Sequence, residues 1–147
     1  MRRELLITVV LAVALAIAPA VAGARIVHFQ SPSGNINCLG DTSAPTFVSC
    51  LVRTATWAQR PAKPVGCDLD WDPYELQLAR RHASIGACRG DVGPRCFHDC
   101  TTLAYGKAVD IGPIRCRAAA IGVTCRYVRG TLAGFRIARE GYIVWRR

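Results

Sequence analysis

The sequence has few of the residues on which common catalytic sites depend. It contains three histidines, His28, His82 and His98, and neither a G-x-S-x-G nor an H-E-x-x-H motif. These absences argue against the nucleophile elbow of an α/β-hydrolase and against the metal-binding helix of a zinc protease. The cysteine count is even, so disulfide pairing leaves no thiol over as a nucleophile. We therefore expect a protein that is not an enzyme, with no catalytic residues, no bound metal and no cofactor.

Long apolar runs are also scarce, and the one that is present occupies residues 5–18. Arg2 and Arg3 precede it, while Pro19 and small residues follow it, a pattern typical of a secretory signal peptide. Its helix would be about 21 Å long, which is shorter than the roughly 30 Å hydrocarbon layer of a bilayer. We predict that residues 1–24 are a signal peptide cleaved after Ala22 or Ala24. The alternative is a retained membrane anchor.

A cleaved leader predicts a protein that is secreted or held in the cell envelope, with no transmembrane segment after cleavage. The remainder, residues 25–147, has the length of a single small domain. All eight cysteines lie in this part: Cys38, Cys50, Cys67, Cys88, Cys96, Cys100, Cys116 and Cys125. An even number of cysteines in an exported chain indicates a disulfide framework, although four bridges allow 105 connectivities.

A metal site is the alternative for one pair of these cysteines. Cys96, His98 and Cys100 lie within five residues and would offer two thiolates and an imidazole. Structural zinc requires a fourth ligand, and an exported protein meets oxidising conditions first. A small disulfide loop is therefore the favoured interpretation of this segment.

Alternation of apolar and polar residues, the period of a β-strand, predicts most of the secondary structure. Residues 114–118 and 123–127 alternate on either side of a short connection that contains Gly122, and they predict a hairpin. Residues 135–138 and 142–145 predict a second hairpin, and residues 47–52 and 74–78 predict further strands. A short helix over residues 74–82 is the alternative for the last stretch. Frequent turn signals favour an all-β fold, a small disulfide-stapled antiparallel sandwich or barrel of short strands.

Two proline-containing segments interrupt these strands. In residues 29–38, FQSPSGNINC, Pro32 fixes φ and Gly34 and Asn35 tolerate positive φ, so the segment predicts a tight turn closed by a disulfide. The asparagine and serine side chains leave a ligand-binding rim as the alternative. Residues 60–64, RPAKP, predict a stiff internal connector.

The sequence contains fewer acidic residues than basic residues. Residues 25–147 hold 17 Lys or Arg against 9 Asp or Glu, and residues 101–147 hold nine against two. If the predicted strands are neighbours, alternation places Arg115, Arg117, Arg126 and Arg136 on one solvent face. Such a face attracts phosphate and carboxylate groups, and the alternative is a face that only keeps the protein soluble.

A set of short motifs resembles a known family. The motifs are F-x-S-P-S-G-N-I-x-C at 29–38, C-x-L-D-W at 67–71, C-x-G-D at 88–91, L-x-Y-G at 103–106, G-P-I-R-C at 112–116, G-V-T-C at 122–125 and G-F-x-I-A-R-E-x-Y at 134–142. Together they resemble a domain-of-unknown-function family of small exported actinobacterial proteins. The resemblance implies an exported β-rich domain with six framework cysteines, and it implies no activity. It suggests the pairs Cys38–Cys50, Cys67–Cys88 and Cys116–Cys125, with the additional Cys96 and Cys100 bonded to each other.

These observations favour an exported, non-catalytic binding module whose arginine face takes an anionic partner. The candidate partners are an anionic cell-envelope polymer, a lipid head group or an acidic protein. Nucleic acid is disfavoured because stacking aromatics do not interleave with the arginines and because the compartment is wrong. The alternative is a secreted inhibitor that presents a disulfide-pinned loop, residues 31–37 or 89–95, since a rigid loop binds with little ordering cost. The oligomeric state is left open by the sequence.

Overall fold

The structure, a computed structural model, describes residues 23–146, and these residues form eleven strands. The strands are β1 (Ile26–Gln30), β2 (Ile36–Asp41), β3 (Phe47–Val52), β4 (Asp70–Ala79), β5 (His82–Arg89), β6 (Thr101–Thr102), β7 (Ala108–Ile111), β8 (Ile114–Ala119), β9 (Gly122–Tyr127), β10 (Gly134–Ile137) and β11 (Tyr142–Trp145). Within the described range, no helix is long and apolar enough to cross a membrane. The predicted signal peptide up to Ala22, including its apolar run and the residue before the first candidate cleavage position, lies outside the described residues, whereas Ala24, before the second candidate position, is described.

The strands form two sheets, each built from one contiguous part of the chain. Sheet A has the order β5-β4-β3-β2-β1-β6, and sheet B has the order β11-β10-β9-β8-β7. Consecutive strands pair antiparallel within each sheet, and the short β6 joins β1 in parallel. The predicted all-β, antiparallel, disulfide-stapled sandwich is therefore confirmed.

The core lies between the two sheets and follows from the two-residue period of the strands. In β8, Ile114, Cys116 and Ala118 are fully buried while the arginines between them are exposed. Phe29 and Leu76 of sheet A join the same apolar cluster, so both sheets turn their apolar rows inward. One cluster of buried residues thus connects the two layers.

The eight cysteines form four disulfides, in the pairs that the family resemblance implied: Cys38–Cys50, Cys67–Cys88, Cys96–Cys100 and Cys116–Cys125. Cys38 lies directly opposite Cys50 in sheet A, and Cys116 lies directly opposite Cys125 in sheet B. The two bridges meet in the middle of the sandwich, where the Sγ atoms of Cys50 and Cys125 are 4.0 Å apart. Sulfur therefore fills the centre of the core as well as cross-linking its strands.

The predicted hairpins agree closely with the observed strands of sheet B, whereas sheet A contains strands that were not predicted. Residues 74–79 belong to β4, so the helical alternative for 74–82 is wrong. Leu76 and Leu78 point into the core and pair with β3, which an extended strand allows and a helix of that length does not. The partner strand β5 follows directly, after a two-residue turn in which Arg80 and Arg81 both have positive φ.

The connection between β3 and β4, which contains residues 60–64, packs on the sandwich. Trp57 is buried, and its Nε1 donates a hydrogen bond of 2.9 Å to the carbonyl of Ala138 in sheet B. Trp71 Nε1 donates a hydrogen bond of 3.1 Å to the carbonyl of Pro61. The predicted connector is thus held against both sheets by two indole groups.

Candidate functional site

The four predicted arginines come together on the outer face of sheet B. Alternation in β8 directs Arg115 and Arg117 away from the core, and the register places Arg115 directly opposite Arg126 of β9. Thr124, the next outward residue of β9, lies between Arg117 on one side and Arg136 of β10 on the other. Since neighbouring strands lie about 5 Å apart, these side chains form one surface, which we call the Arg face (Arg115, Arg117, Arg126 and Arg136).

One member of the Arg face is already paired with a carboxylate. Arg115 donates from Nε to Asp110 Oδ1 at 2.6 Å and from Nη2 to Asp110 Oδ2 at 2.8 Å, across the β7–β8 pair. These hydrogen bonds hold the pKa of Asp110 below its usual range. Asp110 therefore stays ionised into mildly acidic conditions, and Arg115 keeps its partner.

The other three members have no such partner among residues 23–146. No carboxylate of the described chain lies within 4.0 Å of the guanidinium of Arg117, Arg126 or Arg136. Like charges that face each other across strands destabilise a sheet, so Arg126 opposite Arg115 adds repulsion that Asp110 only partly offsets. The Arg face consequently carries an excess of positive charge that is open to an external anion.

A cleft of about 750 Å³ adjoins the Arg face at the end where β9 finishes. Arg126 and Trp145 line it from the sheet, and Arg129, Val128 and Leu132 line it from the loop of residues 128–132. In the sheet register Gly134 lies between Arg126 and Trp145, and a side chain at this position would collide with the backbone of β9. The cleft therefore combines guanidinium groups with an indole ring and exposed aliphatic carbon.

The turn between β4 and β5 reaches the same end of the molecule. The backbone N–H of Arg81 donates a hydrogen bond of 3.1 Å to the hydroxyl of Tyr127, at the base of the 128–132 loop. The Arg81 guanidinium lies alongside Gly130 of that loop. Arg80, also exposed, precedes Arg81 in the turn, so a basic turn of sheet A lies beside the 128–132 loop that lines the cleft.

The FQSPSGNINC segment forms the predicted tight turn, between β1 and β2, but hydrogen bonds to the protein itself close it and not a disulfide, because Cys38–Cys50 joins β2 to β3. Asn37 Nδ2 donates to the carbonyl of Gly34 at 3.0 Å, and Asn35 Nδ2 donates to the carbonyl of Thr54 at 3.0 Å. Ser31 Oγ accepts the backbone N–H of Ile36 at 3.1 Å. The side chains that suggested a ligand rim therefore mainly stabilise the turn.

A second polar cluster is buried beneath the segment that crosses sheet A from β5 to β6. Glu75 of β4 is fully buried and accepts hydrogen bonds from Ser49, Gln77 and Arg89. Burial raises the pKa of Glu75 above its usual range, although these donors act in the opposite direction. Arg89 also pairs with Asp91 at 2.8 Å, so the Arg89 side chain is directed into the protein.

This arrangement fixes one of the two loops considered for an inhibitor. Because Arg89 bridges a buried and an exposed carboxylate, the start of the 89–95 loop is tied to β4. Further along, the N–H of Cys96 donates to Asn37 Oδ1 at 3.2 Å. The segment is thus anchored at both ends, with the Cys96–Cys100 bridge beyond the second anchor.

Comparison with known proteins places the chain in a family without assigning it an activity. The model of DUF6636, a family of unknown function, matches residues 7–145. The chain belongs to this family. That membership confirms the resemblance to a family of unknown function that the short motifs carried. No curated protein and no solved structure matches the chain. Its four disulfides are typical of proteins from oxidising, extracytoplasmic compartments.

The cleft residues of the 128–132 loop, and Trp145, were not identified from the sequence as site residues. Arg129 and Leu132 lie in a loop with no periodic pattern, and Trp145 was placed in a hairpin without being assigned to a face. The signal that could have found Trp145 is the register of that hairpin, which places it opposite Gly134 and next to Arg126.

Proposed function

We propose that the protein is an exported, non-catalytic binding module whose Arg face takes an anionic partner of the cell envelope or an acidic protein. Residues 1–24 direct export, and the disulfides maintain the domain outside the cytoplasm. The observation that carries the proposal is the set of three outward guanidinium groups, those of Arg117, Arg126 and Arg136, with no carboxylate partner among the described residues.

The spacing of these groups favours a partner with repeated negative charge. Arg126 and Arg136 lie diagonally on adjacent strands, since Arg126 is opposite Gly134 and Arg136 is opposite Thr124. Adjacent strands are about 5 Å apart and residues two apart on one strand are about 7 Å apart, so this diagonal is roughly 8 to 9 Å. Successive phosphate or carboxylate groups on a polymer or a surface can meet several guanidinium groups at these spacings. A rigid sheet holds the arginines in place, which lowers the ordering cost of binding.

A linear polyphosphate serves as the test ligand, with the exported protein carrying its four disulfides. Binding should weaken steeply as salt increases, because each contact releases counterions from the polymer. Serine at all four positions of the Arg face should abolish binding at moderate salt and lower the slope of log affinity against log salt by about 2 to 3. The unfolding midpoint of this variant should stay close to that of the parent, since the side chains point to solvent.

A matched control has the same net charge but leaves the Arg face intact. Arg53, Arg60, Arg95 and Arg139 are exposed and lie away from that face. Serine at these four positions should retain polyphosphate binding within about three-fold, since only long-range attraction is lost. Equal loss in both variants would show that net charge, and not the Arg face, attracts the polymer, and the proposal would be abandoned.

A secreted inhibitor is the second candidate, supported by the preformed turn at residues 31–37. The hydrogen bonds of Asn35 and Asn37 hold this turn in place while Pro32 and Ser33 remain exposed. A loop fixed in this way inserts into another protein with little loss of entropy. Formation of a salt-insensitive protein complex that Pro32→Ala and Ser33→Ala weaken would favour this function over the first.

A further inference from the structure

The apolar residues at the rim of the cleft are unusual for a surface that is otherwise basic. Leu132 is 80% exposed, Val128 is 47% exposed and Trp145 is 38% exposed, and all three line the same cleft. Single exposed apolar residues are common on soluble proteins, but three that surround one concavity form a patch. Any ligand that only satisfies the arginines would leave this patch in water.

Positive charge surrounds the patch on several sides. Arg126 and Arg129 line the cleft itself, and Arg81 lies against Gly130 of the 128–132 loop. Arg146 follows Trp145 directly and is exposed. We call the four arginines Arg81, Arg126, Arg129 and Arg146, together with the apolar Leu132, the basic end.

The first strand of the described chain starts at the same end of the sandwich. Across sheet A, Ile26 lies opposite Asp41, Asp41 lies opposite Phe47, and Phe47 lies opposite Ala79. Ala79 directly precedes the Arg80–Arg81 turn, so the start of β1 and this turn lie at the same end of the sheet. Exposed Arg25 precedes this strand and adds a further positive charge. The carboxylate of Asp41 accepts hydrogen bonds from the backbone N–H and hydroxyl of Ser43, and it offsets only part of this charge.

We propose that the basic end docks on a lipid bilayer rich in anionic head groups, with Leu132, Val128 and Trp145 entering the interface. The inference rests on the proposed function, because it uses the same excess of positive charge and names its partner. A bilayer presents a plane of negative charge directly above apolar carbon, which matches guanidinium groups around an aliphatic loop. Indole rings also favour the level of the head groups. A soluble phosphate polymer has no apolar layer to cover Leu132.

The attraction of the arginines to anionic lipid and the entry of Leu132 into the bilayer interface should have separately measurable effects on binding. Each arginine near an anionic surface strengthens association by about five-fold, so the basic end should show strong preference for anionic vesicles. Removal of the Leu132 side chain from the interface should weaken vesicle binding by about ten-fold or more. The same change should leave polyphosphate binding within about two-fold, because the polymer does not contact leucine.

The experiment measures sedimentation of the exported, disulfide-bonded protein with phosphatidylcholine vesicles that contain or lack phosphatidylglycerol. Leu132→Ser is compared with Ile121→Ser, a matched control in which an exposed residue at the opposite end of sheet B is changed. Binding to anionic vesicles only, reduced by Leu132→Ser and retained by Ile121→Ser, supports the proposal. Tryptophan fluorescence should shift to shorter wavelength in the bound state, since Trp145 is the one of the three tryptophans that lines the cleft.

The results that overturn the docking proposal differ from those that overturn the proposed function. If the protein binds polyphosphate through the Arg face but does not bind vesicles, the docking proposal is rejected and the proposed function is retained. If it binds neither polyphosphate nor vesicles, the docking proposal and the proposed function are both rejected. Equal binding to neutral and anionic vesicles, equal loss in both leucine and isoleucine variants, or binding to an acidic protein in place of vesicles also rejects the bilayer as the partner.

Discussion

Removal of the core disulfide Cys116–Cys125 should destabilise the protein more than removal of the loop disulfide Cys96–Cys100. The bridges close spans of 9 and 4 residues, so the chain-entropy model assigns them about 2.6 and about 1.9 kcal/mol. Cys116 and Cys125 are fully buried, whereas Cys96 and Cys100 are half-buried. Alanine at both core positions also leaves two methyl-sized voids, at about 1 kcal/mol each. We expect losses of about 4 to 5 kcal/mol for the core pair and about 2 kcal/mol for the loop pair.

Urea unfolding of the two double alanine variants measures these losses. Free energies extrapolated to water are compared, because removal of a cross-link expands the unfolded chain and raises the slope m. The voids act on the folded state, so near-ultraviolet circular dichroism should change for the core variant and stay close to the parent for the loop variant. Equal losses in the two variants would refute the argument that sulfur contributes to packing as well as to cross-linking.

Three further predictions follow from individual contacts. Burial holds the pKa of Glu75 above its usual range, so the folded protein keeps this proton to higher pH than the unfolded chain, and its stability falls as pH rises through that interval. Glu75→Gln should flatten the fall, measured as urea midpoints from about pH 4 to about pH 8, and an unchanged profile would contradict it. Gly86→Ala should cost roughly 2 to 4 kcal/mol in the same assay, because φ is +81° and the new Cβ would collide with the Trp71 ring; a neutral effect would refute this contact. Asp110→Asn should release Arg115 and steepen the salt dependence of polyphosphate binding by about one unit, and a shallower slope would count against the pairing.

The sequence predicted sheet B well because its strands have one buried and one exposed face. In β8 and β9, arginine or threonine alternates with apolar residues or cysteine, so the strand period is unambiguous. The same alternation was enough to place the four arginines on one side. Their proximity depended on the strands being neighbours, which short connections between hairpins favour.

Sheet A was harder to predict because its outer face is covered as well. Asn37, Ser49 and Glu75 point outward yet are buried beneath the segment that crosses from β5 to β6, so polarity does not mark exposure there. Strand β5 contains Ala83, Ser84 and Gly86 and has weak alternation. The turn before it uses Arg80 and Arg81 at positive φ, where sequence rules look for glycine or asparagine.

The cleft could not be predicted because it is lined by the 128–132 loop, which has no periodic pattern and which contacts a distant segment of the chain. Arg81 of sheet A meets the 128–132 loop of sheet B through the Tyr127 hydroxyl, 46 residues away along the chain. Nothing local in either segment signals that contact. The disulfide pairing, in contrast, followed from the family resemblance, since the residues alone left every connectivity open.

The eight cysteines pair as consecutive neighbours along the chain, the first with the second, the third with the fourth, the fifth with the sixth and the seventh with the eighth. A polypeptide that is oxidised in the order in which it emerges from a translocation pore therefore reaches the native connectivity when every second thiol joins the one just before it. No bridge has to be broken and remade, and no bridge ties sheet A to sheet B. In the exported protein that we propose, the first sheet can be covalently complete before the second has left the pore, and the two then associate without any disulfide between them.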